Sequence, residues 1–332
     1  MARVTLADVA AHVGVSVMTV SNVVNGRLGR VSAPTAARVQ DAVASLGYVP
    51  HGAARSLAAR RTHLVGLLLP TRGTSLLGSP HDQTLVGALE VTLRRRDHHL
   101  LLRGVETAAD VRDSVQRWSL DGIVVLGFTD DELAALDLPR GVPTVVVDAH
   151  DDAPGRGHVR SDDHEGGRLA GAHLAALGHR DVVLVGPLAG GSRVVAARLD
   201  GLRQSLGVGH VPAVDAATTY DAGVAAAPRV LRDHPGATAV VATADTLAAG
   251  LCRGLADAGR RVPGDLSVVG YDDAELARCV TPALTTVRQD VARKGEAAAR
   301  LLLAAIGGAP DLRTEHVHVD LVVRASTAAP PS

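Results

Sequence analysis

The stretch VTLADVAAHVGVSVMTVSNVVNG, residues 4–26, decides how the first part of this chain folds. Thr5 is placed to cap a helix running through Val13, because Leu6, Val9, Ala10 and Val13 recur at helical spacing. Gly14 supplies a turn, and Ser16 caps a second helix that runs to about Asn25. A helix-turn-helix needs a bracing first helix, a tight Gly-bearing turn and a second helix thin enough to enter the DNA major groove. Small Ala10, turn-forming Gly14 and apolar Val15, Val20 and Val23 meet those needs; the alternative is an αα-hairpin that only packs.

Moving outward, a third helix starts at Ser32, carries Val39, Val43 and Leu46 on one face, and stops at Gly47. The following HGAARSLAAR, residues 51–60, is rich in Ala and Arg and able to form a helix. The formal net charge of the chain is -1. Through position 61, however, Arg3, Arg27, Arg30, Arg38, Arg55, Arg60 and Arg61 face only Asp8 and Asp41, which leaves +5. A small basic head on a slightly acidic body points to nucleic acid.

The remainder reads differently. At 332 residues the chain calls for two or three domains. Hydrophobic residues make up 46% but aromatics only 2%, so the core is built mainly from Ala, Val and Leu, which suits parallel sheets covered by helices. Strand-like runs occur at 64–70, 100–103, 122–127, 143–148, 181–186, 238–243 and 265–271, separated by Ala- and Leu-rich helical segments, an alternation that argues for parallel α/β sheets. HLVGLLLP at 63–70 is echoed by RDVVLVGP at 180–187, so two similar lobes with a ligand cleft between them are expected. Cys252 and Cys279 are read as packing residues in a reducing cytoplasm. Neither a signal-type apolar region nor a membrane-length apolar run is seen.

Residues 1–61 resemble the DNA-binding headpiece of the lac repressor (LacI/GalR) family. The matching pieces are Thr5-Leu6, Asp8-Val9-Ala10, Gly14-Val15-Ser16, Thr19-Val20-Ser21, Asn25, Leu46-Gly47-Tyr48, Pro50 and Ala54-Arg55-Ser56-Leu57. The similarity continues through DGIVVLG, HLAALGHRDVVLVG, RVPGDLSVVGYDDAELA and TPALTTVRQD. It implies an all-α helix-turn-helix headpiece (1–50), a hinge (51–61), and a two-lobed α/β effector and dimerisation domain (62–332) with parallel sheets, like periplasmic sugar-binding proteins. The first lobe is expected over about 62–160 plus 290–312, the second over about 161–289 plus 313–326.

The resemblance also assigns residues. Val17, Met18 and Asn22 face base edges; Asn22 suits a bidentate pair with adenine, whereas Val17 and Met18 offer only apolar contact. Thr5, Ser16, Thr19, Ser21 and Asn25 read as phosphate-positioning groups or caps. In the hinge, Leu57 is the implied minor-groove wedge, with Ala54 and Arg55 lining the groove. His51 stands where the family often has Asn. Asp148, Arg198 and Asp272 match positions lining the effector cleft, where carboxylates and a guanidinium suit a polyhydroxyl ligand. Phe128 is expected to face that cleft and Trp118 to lie in the core. The loop 71–82, TRGTSLLGSPHD, has no ring for a sugar to stack on, and Ala244-Asp245 replaces a common Asn-Asp.

The expected function is a cytoplasmic transcription regulator, a repressor acting as a homodimer on double-stranded operator DNA. Its small-molecule effector is read as a sugar or sugar derivative, with a nucleobase or nucleoside as the alternative. No heptad segment follows 319–332, so nothing in the sequence supports the extra tetramerising helix of one branch of the family. No cofactor, metal or catalytic set is expected: VGPLAGGS at 185–192 lacks phosphate-loop spacing, and the groupings His98-His99 and His316/His318 lack a third ligand. Of the rivals, a nucleotide-dependent enzyme would need phosphate-binding motifs that this sequence lacks, and an exported sugar-binding protein would need a signal peptide and have no use for the basic helix-turn-helix.

Overall fold

The computed structural model describes residues 4–48, 61–71, 76–150, 154–189, 191–309 and 313–331. Contacts divide the chain into a small unit ending at His63 and a large one from Leu64 onward.

The small unit holds α1 (Leu6–Val13), α2 (Val17–Val24) and α3 (Ala33–Ser45). Thr5 and Asp8 form a reciprocal capping box at the start of α1, and Gly14 ends it in the left-handed conformation, φ 73°. Ser16 caps α2 by accepting the Thr19 N–H at 3.1 Å. Val9, Ala10, Val13, Val20, Val23, Ala36, Val39 and Ala42 close one core, with Tyr48 against it. The apolar periodicity of all three helices therefore converges on a single point. A short 3-10 turn at Leu28–Arg30, unmarked by any sequence signal, links α2 to α3.

The large unit contains two six-stranded sheets built to one plan. The first comprises β1 (Leu64–Pro70), β2 (His99–Val105), β3 (Gly122–Leu126), β4 (Thr144–Val147), β5 (Gly157–Ser161) and β11 (Thr314–Val317), in the order β11-β5-β4-β3-β1-β2. The second comprises β6 (Val182–Gly186), β7 (Ala213–Asp215), β8 (Ala239–Ala242), β9 (Ser267–Asp272), β10 (Thr285–Gln289) and β12 (Val319–Val322), in the order β12-β10-β9-β8-β6-β7. Strand for strand the orders are equivalent, with β6 in the place of β1, as the echo between 63–70 and 180–187 predicts. Pairing is parallel except for β12 against β10. One boundary needs correcting: residues 314–317, assigned from sequence to the second lobe, pair with β5 in the first sheet, and only β12 enters the second. The chain thus passes between lobes three times, after β5, β10 and β11.

Helices α4 (Pro80–Arg94), α5 (Ala108–Trp118), α6 (Asp130–Ala135) and α12 (Val291–Ile306) belong to the first lobe. The second lobe carries α7 (Asp163–Leu177), α8 (Arg193–Leu206), α9 (Tyr220–Asp233), α10 (Asp245–Asp257) and α11 (Leu276–Cys279). Both sheets are covered on two faces, so β3 and β6 are buried at every residue. The edge strand β2 is not: Leu102 is 38% exposed.

With so few aromatics, tight packing comes from close backbone approach. A Cβ added to Gly167 would overlap the Arg198 carbonyl, one on Gly201 the His164 carbonyl, and one on Gly250 the Tyr220 carbonyl, so α7 against α8 and α9 against α10 need bare glycine. Gly201→Ala is expected to force these backbones apart and to destabilise the large unit by about 1–3 kcal/mol, seen as a lower urea midpoint; an unchanged midpoint would contradict this packing.

Candidate DNA-reading helix and effector cleft

On α2 the residues expected to face bases are presented outward. Val17 is 47% and Met18 70% exposed. Asn22 is half-buried on the same short helix, and its amide has no hydrogen-bond partner among the described residues. The neighbouring polar groups are tied to the scaffold. Ser16 Oγ and Thr19 Oγ1 lie 2.9 Å apart, and the Asn25 amide donates to the Ser21 carbonyl at 2.7 Å and to its hydroxyl at 3.2 Å. Thr5 donates to Asp8 through both its N–H and its hydroxyl. Caps therefore fix the pitch and ends of the helix while its exposed face stays unbonded. Ala54, Arg55 and Leu57 lie outside the described residues.

In the large unit the carboxyl ends of β4 and β9 carry Asp148 and Asp272. Both aspartates, with Asp273, adopt positive φ (57°, 111° and 56°), a conformation that side chains other than glycine adopt at a strain cost and that clusters at functional sites. A cleft of about 520 Å³ opens here, lined by Pro80, His81 and Thr84 from α4, Asp272 to Glu275 after β9, Arg288 to Ala292 at the second crossover, and His318 and Asp320 at the third. That volume falls in the range of small-molecule sites.

Asp148 does not stand free. Its Oδ1 accepts from Lys294 Nζ at 2.6 Å, and His81 Nε2 lies 3.3 Å from its Oδ2. Lys294 also donates to Gln289 Oε1, which accepts from the Ser161 hydroxyl at 2.7 Å as well. The Gln289 amide nitrogen in turn donates to Asp272 Oδ1. Burial works against the Asp148 charge, but the adjacent Lys294 ammonium and the His81 bond hold its carboxyl below the usual range. Burial alone would lower the pKa of His81; hydrogen bonds to Asp148 and Asp82 outweigh it and raise it to about 9. Burial pushes the Asp272 carboxyl up, and it pushes Asp245 to about 8 with help from the nearby Asp272 charge. Asp245, the first residue of α10, accepts from the Thr286 hydroxyl at 2.6 Å and the Ala274 N–H at 2.7 Å, which holds the loop after β9. The lobes also meet where Asp130 accepts from the backbone N–H of His150 at 2.6 Å and of Arg193 at 2.8 Å.

Arg198 is buried and already engaged. It binds Asp163 Oδ1 at 2.8 Å and the Thr243 carbonyl at 2.9 Å, and its guanidinium stacks 3.5 Å above the Tyr271 ring. It lines a small closed cavity with Tyr271 rather than the large cleft. Phe128 departs from expectation. It is 7% exposed within an apolar cluster with Leu68, Val105, Leu133 and Leu136, because α6 folds back over the end of β3 and covers the ring. Trp118 is 48% exposed instead of core, since it ends α5 just outside the buried stripe of Val111 and Ser114. Cys279 is exposed on α11, whereas Cys252 packs as expected.

Sequence reading did not single out His81, Gln289 or Lys294. Gln289 lay inside the matching TPALTTVRQD. Lys294 carried a signal, being the only lysine in the chain. Among the described residues no group of three or more His, Cys, Asp or Glu is placed to hold a metal, and no single helix is long and apolar enough to cross a membrane.

A helix-turn-helix unit joined to a two-lobed ligand-binding domain defines the class. Residues 5–51 match bacterial regulatory proteins of the lacI family, and 172–327 match the periplasmic binding protein-like domain. The chain is 35% identical to the HTH-type transcriptional regulator CelR of Thermobifida fusca, over 92% of this chain and 93% of that one. It is 32% identical to the lactose operon repressor of Escherichia coli, over 99% of this chain and 92% of that one. The crystal structure of the lac repressor dimer bound to operator and the anti-inducer ONPF superposes with a TM-score of 0.86 at 29% identity, covering 99% of this chain and 100% of that one. A CelR–cellobiose complex gives 0.71 at 32% identity, over 98% and 100%. The chain belongs to the lacI family, and it is a transcription regulator rather than an enzyme.

The shifts set a pH dependence. His81, raised above its unfolded value of 6.5 to about 9, contributes stability that is complete below 6.5 and lost as pH rises through about 9. Asp245, raised from 3.8 to about 8, likewise favours the folded state below 3.8 and loses that contribution as pH rises through about 8. Thermal melts between pH 4 and 10 should therefore show His81→Gln flattening only the alkaline fall above 6.5, and Asp245→Asn flattening the fall that begins in acid; identical profiles for both variants would contradict the assignment.

Proposed function

We propose that the protein is a cytoplasmic repressor that binds a two-fold operator as a homodimer, each α2 reading one half-site, and that a small polyhydroxyl effector in the cleft controls this binding. The observation that carries the first half is the outward face of α2, where Val17, Met18 and Asn22 are held by a capped, core-locked scaffold yet left unbonded. Asn22 serves an adenine, and Val17 and Met18 serve thymine methyls or other apolar base surfaces. Thr5, Ser16 and Thr19 approach phosphates, with the Ser21–Asn25 pair stiffening the helix end. Leu57, flanked by Ala54 and Arg55, acts as the minor-groove wedge. Full-length protein titrated onto a library of two-fold DNA sites should bind with an affinity that falls steeply with salt. Asn22→Ala should relax one position per half-site, by about 1–3 kcal/mol of discrimination. An unchanged base preference would remove Asn22 from the reading surface.

For the effector, the support is a cleft lined by carboxylates and amide or imidazole donors, groups that hold hydroxyls in pairs. A sugar or sugar derivative is the favoured class, in keeping with the relatives that carry cellobiose or ribose. The second reading is a nucleobase; the chain is also 32% identical to the HTH-type transcriptional repressor PurR of Yersinia pestis. No Phe, Tyr or Trp is among the described lining residues to stack either a base or a sugar face, so recognition falls to hydrogen bonds, of which a sugar's hydroxyls offer more. Thermal shifts against cellobiose, lactose, ribose, hypoxanthine and guanine decide between them. A sugar at 100 times its Kd should raise stability by about 2.7 kcal/mol, and a rise with a purine alone would overturn the sugar reading.

A further inference from the structure

Lys294 is fully buried on α12 and is the only lysine of the chain, every other cationic side chain of the Lys/Arg type being arginine. An ammonium without water must be given acceptors or it strongly destabilises the fold. Here it has two, Asp148 Oδ1 at the end of β4 and Gln289 Oε1 at the second crossover. The Ser161 hydroxyl, at the first crossover, also donates to Gln289 Oε1. With two donors on its oxygen the amide has one allowed orientation, and its nitrogen must face Asp272 in the second lobe, as it does.

We propose that Lys294 is a positioning residue for effector control, one that fixes which hydrogen-bonding groups the cleft offers and ties that choice to two of the three interlobe crossovers. The proposal rests on the cleft being the effector site. Lys294 and His81 each take one oxygen of Asp148, which is not among the described residues lining the cleft, so this carboxylate serves that pair and His81 is the group that faces the ligand space. Asp272, whose bond to Gln289 uses Oδ1, keeps its second oxygen for a ligand hydroxyl. At this point the cleft therefore offers the His81 imidazole from the first lobe and the Asp272 carboxylate from the second. An apolar side chain at 294 loosens this: Asp148 keeps only His81, and the Gln289 oxygen is left with the Ser161 hydroxyl alone, so the amide that bonds Asp272 is held less firmly.

A double-mutant cycle in the full chain tests the relay without any ligand. Lys294 and Asp272 both bond Gln289 and also feel one another's charge, so the cycle on urea unfolding is repeated in Gln289→Leu, where only the charge coupling remains. The proposal expects the coupling between Lys294→Met and Asp272→Asn to be larger with Gln289 present than in Gln289→Leu by at least about twofold in the unfolding constant, and equal coupling in both overturns it. Should Lys294→Met fail to fold, the same cycle is run on an Asp148→Asn background, which leaves no bare carboxylate beside residue 294. The second readout is the thermal shift of Lys294→Met with cellobiose, lactose and ribose. A changed order among the sugars supports the specificity role, and an unchanged order with uniformly smaller shifts reduces Lys294 to a structural ion pair. If no sugar shifts the wild type, the sugar reading falls while the cycle still decides the relay.

Discussion

The body of this protein depends on one constraint: the central strands of two sheets covered on both faces have nowhere to place charge except at their ends. Apolar β3, β6 and β8 leave no room for charge along their length, so charge gathers where β4 and β9 stop, at Asp148 and Asp272. Carboxylates in such a place must be compensated, and each is, but by different means. Asp148 gains two cationic neighbours, whereas Asp272 gains a neutral amide and stays reluctant to ionise. The asymmetry between lobes with the same strand order lies in these partners.

The crossovers make this chemistry mechanical. Gln289 closes the second of them and Ser161 the first, and the two side chains share a hydrogen bond, so lobe orientation and cleft polarity are carried by the same atoms. Asp130 adds a separate link by taking the N–H of Arg193 at the start of α8, where a carboxylate also complements the helix dipole. A ligand that prefers one relation of the lobes can shift that relation only by the difference in its contacts between states. Groups bonded to both lobes are where such a difference can arise.

Much of this is legible in the sequence. The helix-turn-helix was readable because each requirement is local: a cap, a left-handed glycine, and apolar residues every third or fourth position. The strands from 64–70 onward were readable because continuous apolar runs bounded by Gly and Pro are the mark of buried parallel strands. The internal echo foretold two sheets of one plan. The fate of Thr314–Val317 was not readable, because two short strands separated by a single residue, His318, carry no local signal that they belong to different sheets.

The cleft was half legible for the same reason. Asp148 and Asp272 end recognisable strands, so sequence places them correctly at the strand ends. Phe128 also follows a strand, yet a hydrophobic ring beside α6 gains more from burial with Leu133 and Leu136 than from a solvated cleft. Arg198 was found as a residue but not in its role, since its tie to Asp163 and its stacking on Tyr271 depend on contacts 35 and 73 positions away. Lys294 shows the opposite case: its position within a helical face of Val291, Ala298 and Leu302 makes it look out of place in one dimension. An arginine, with a larger planar head and five fixed donors, would ask more acceptors of this enclosed position than Asp148 and Gln289 provide. In a chain that otherwise uses arginine throughout, the compact, rotatable ammonium is the group that fits between one carboxylate and one amide.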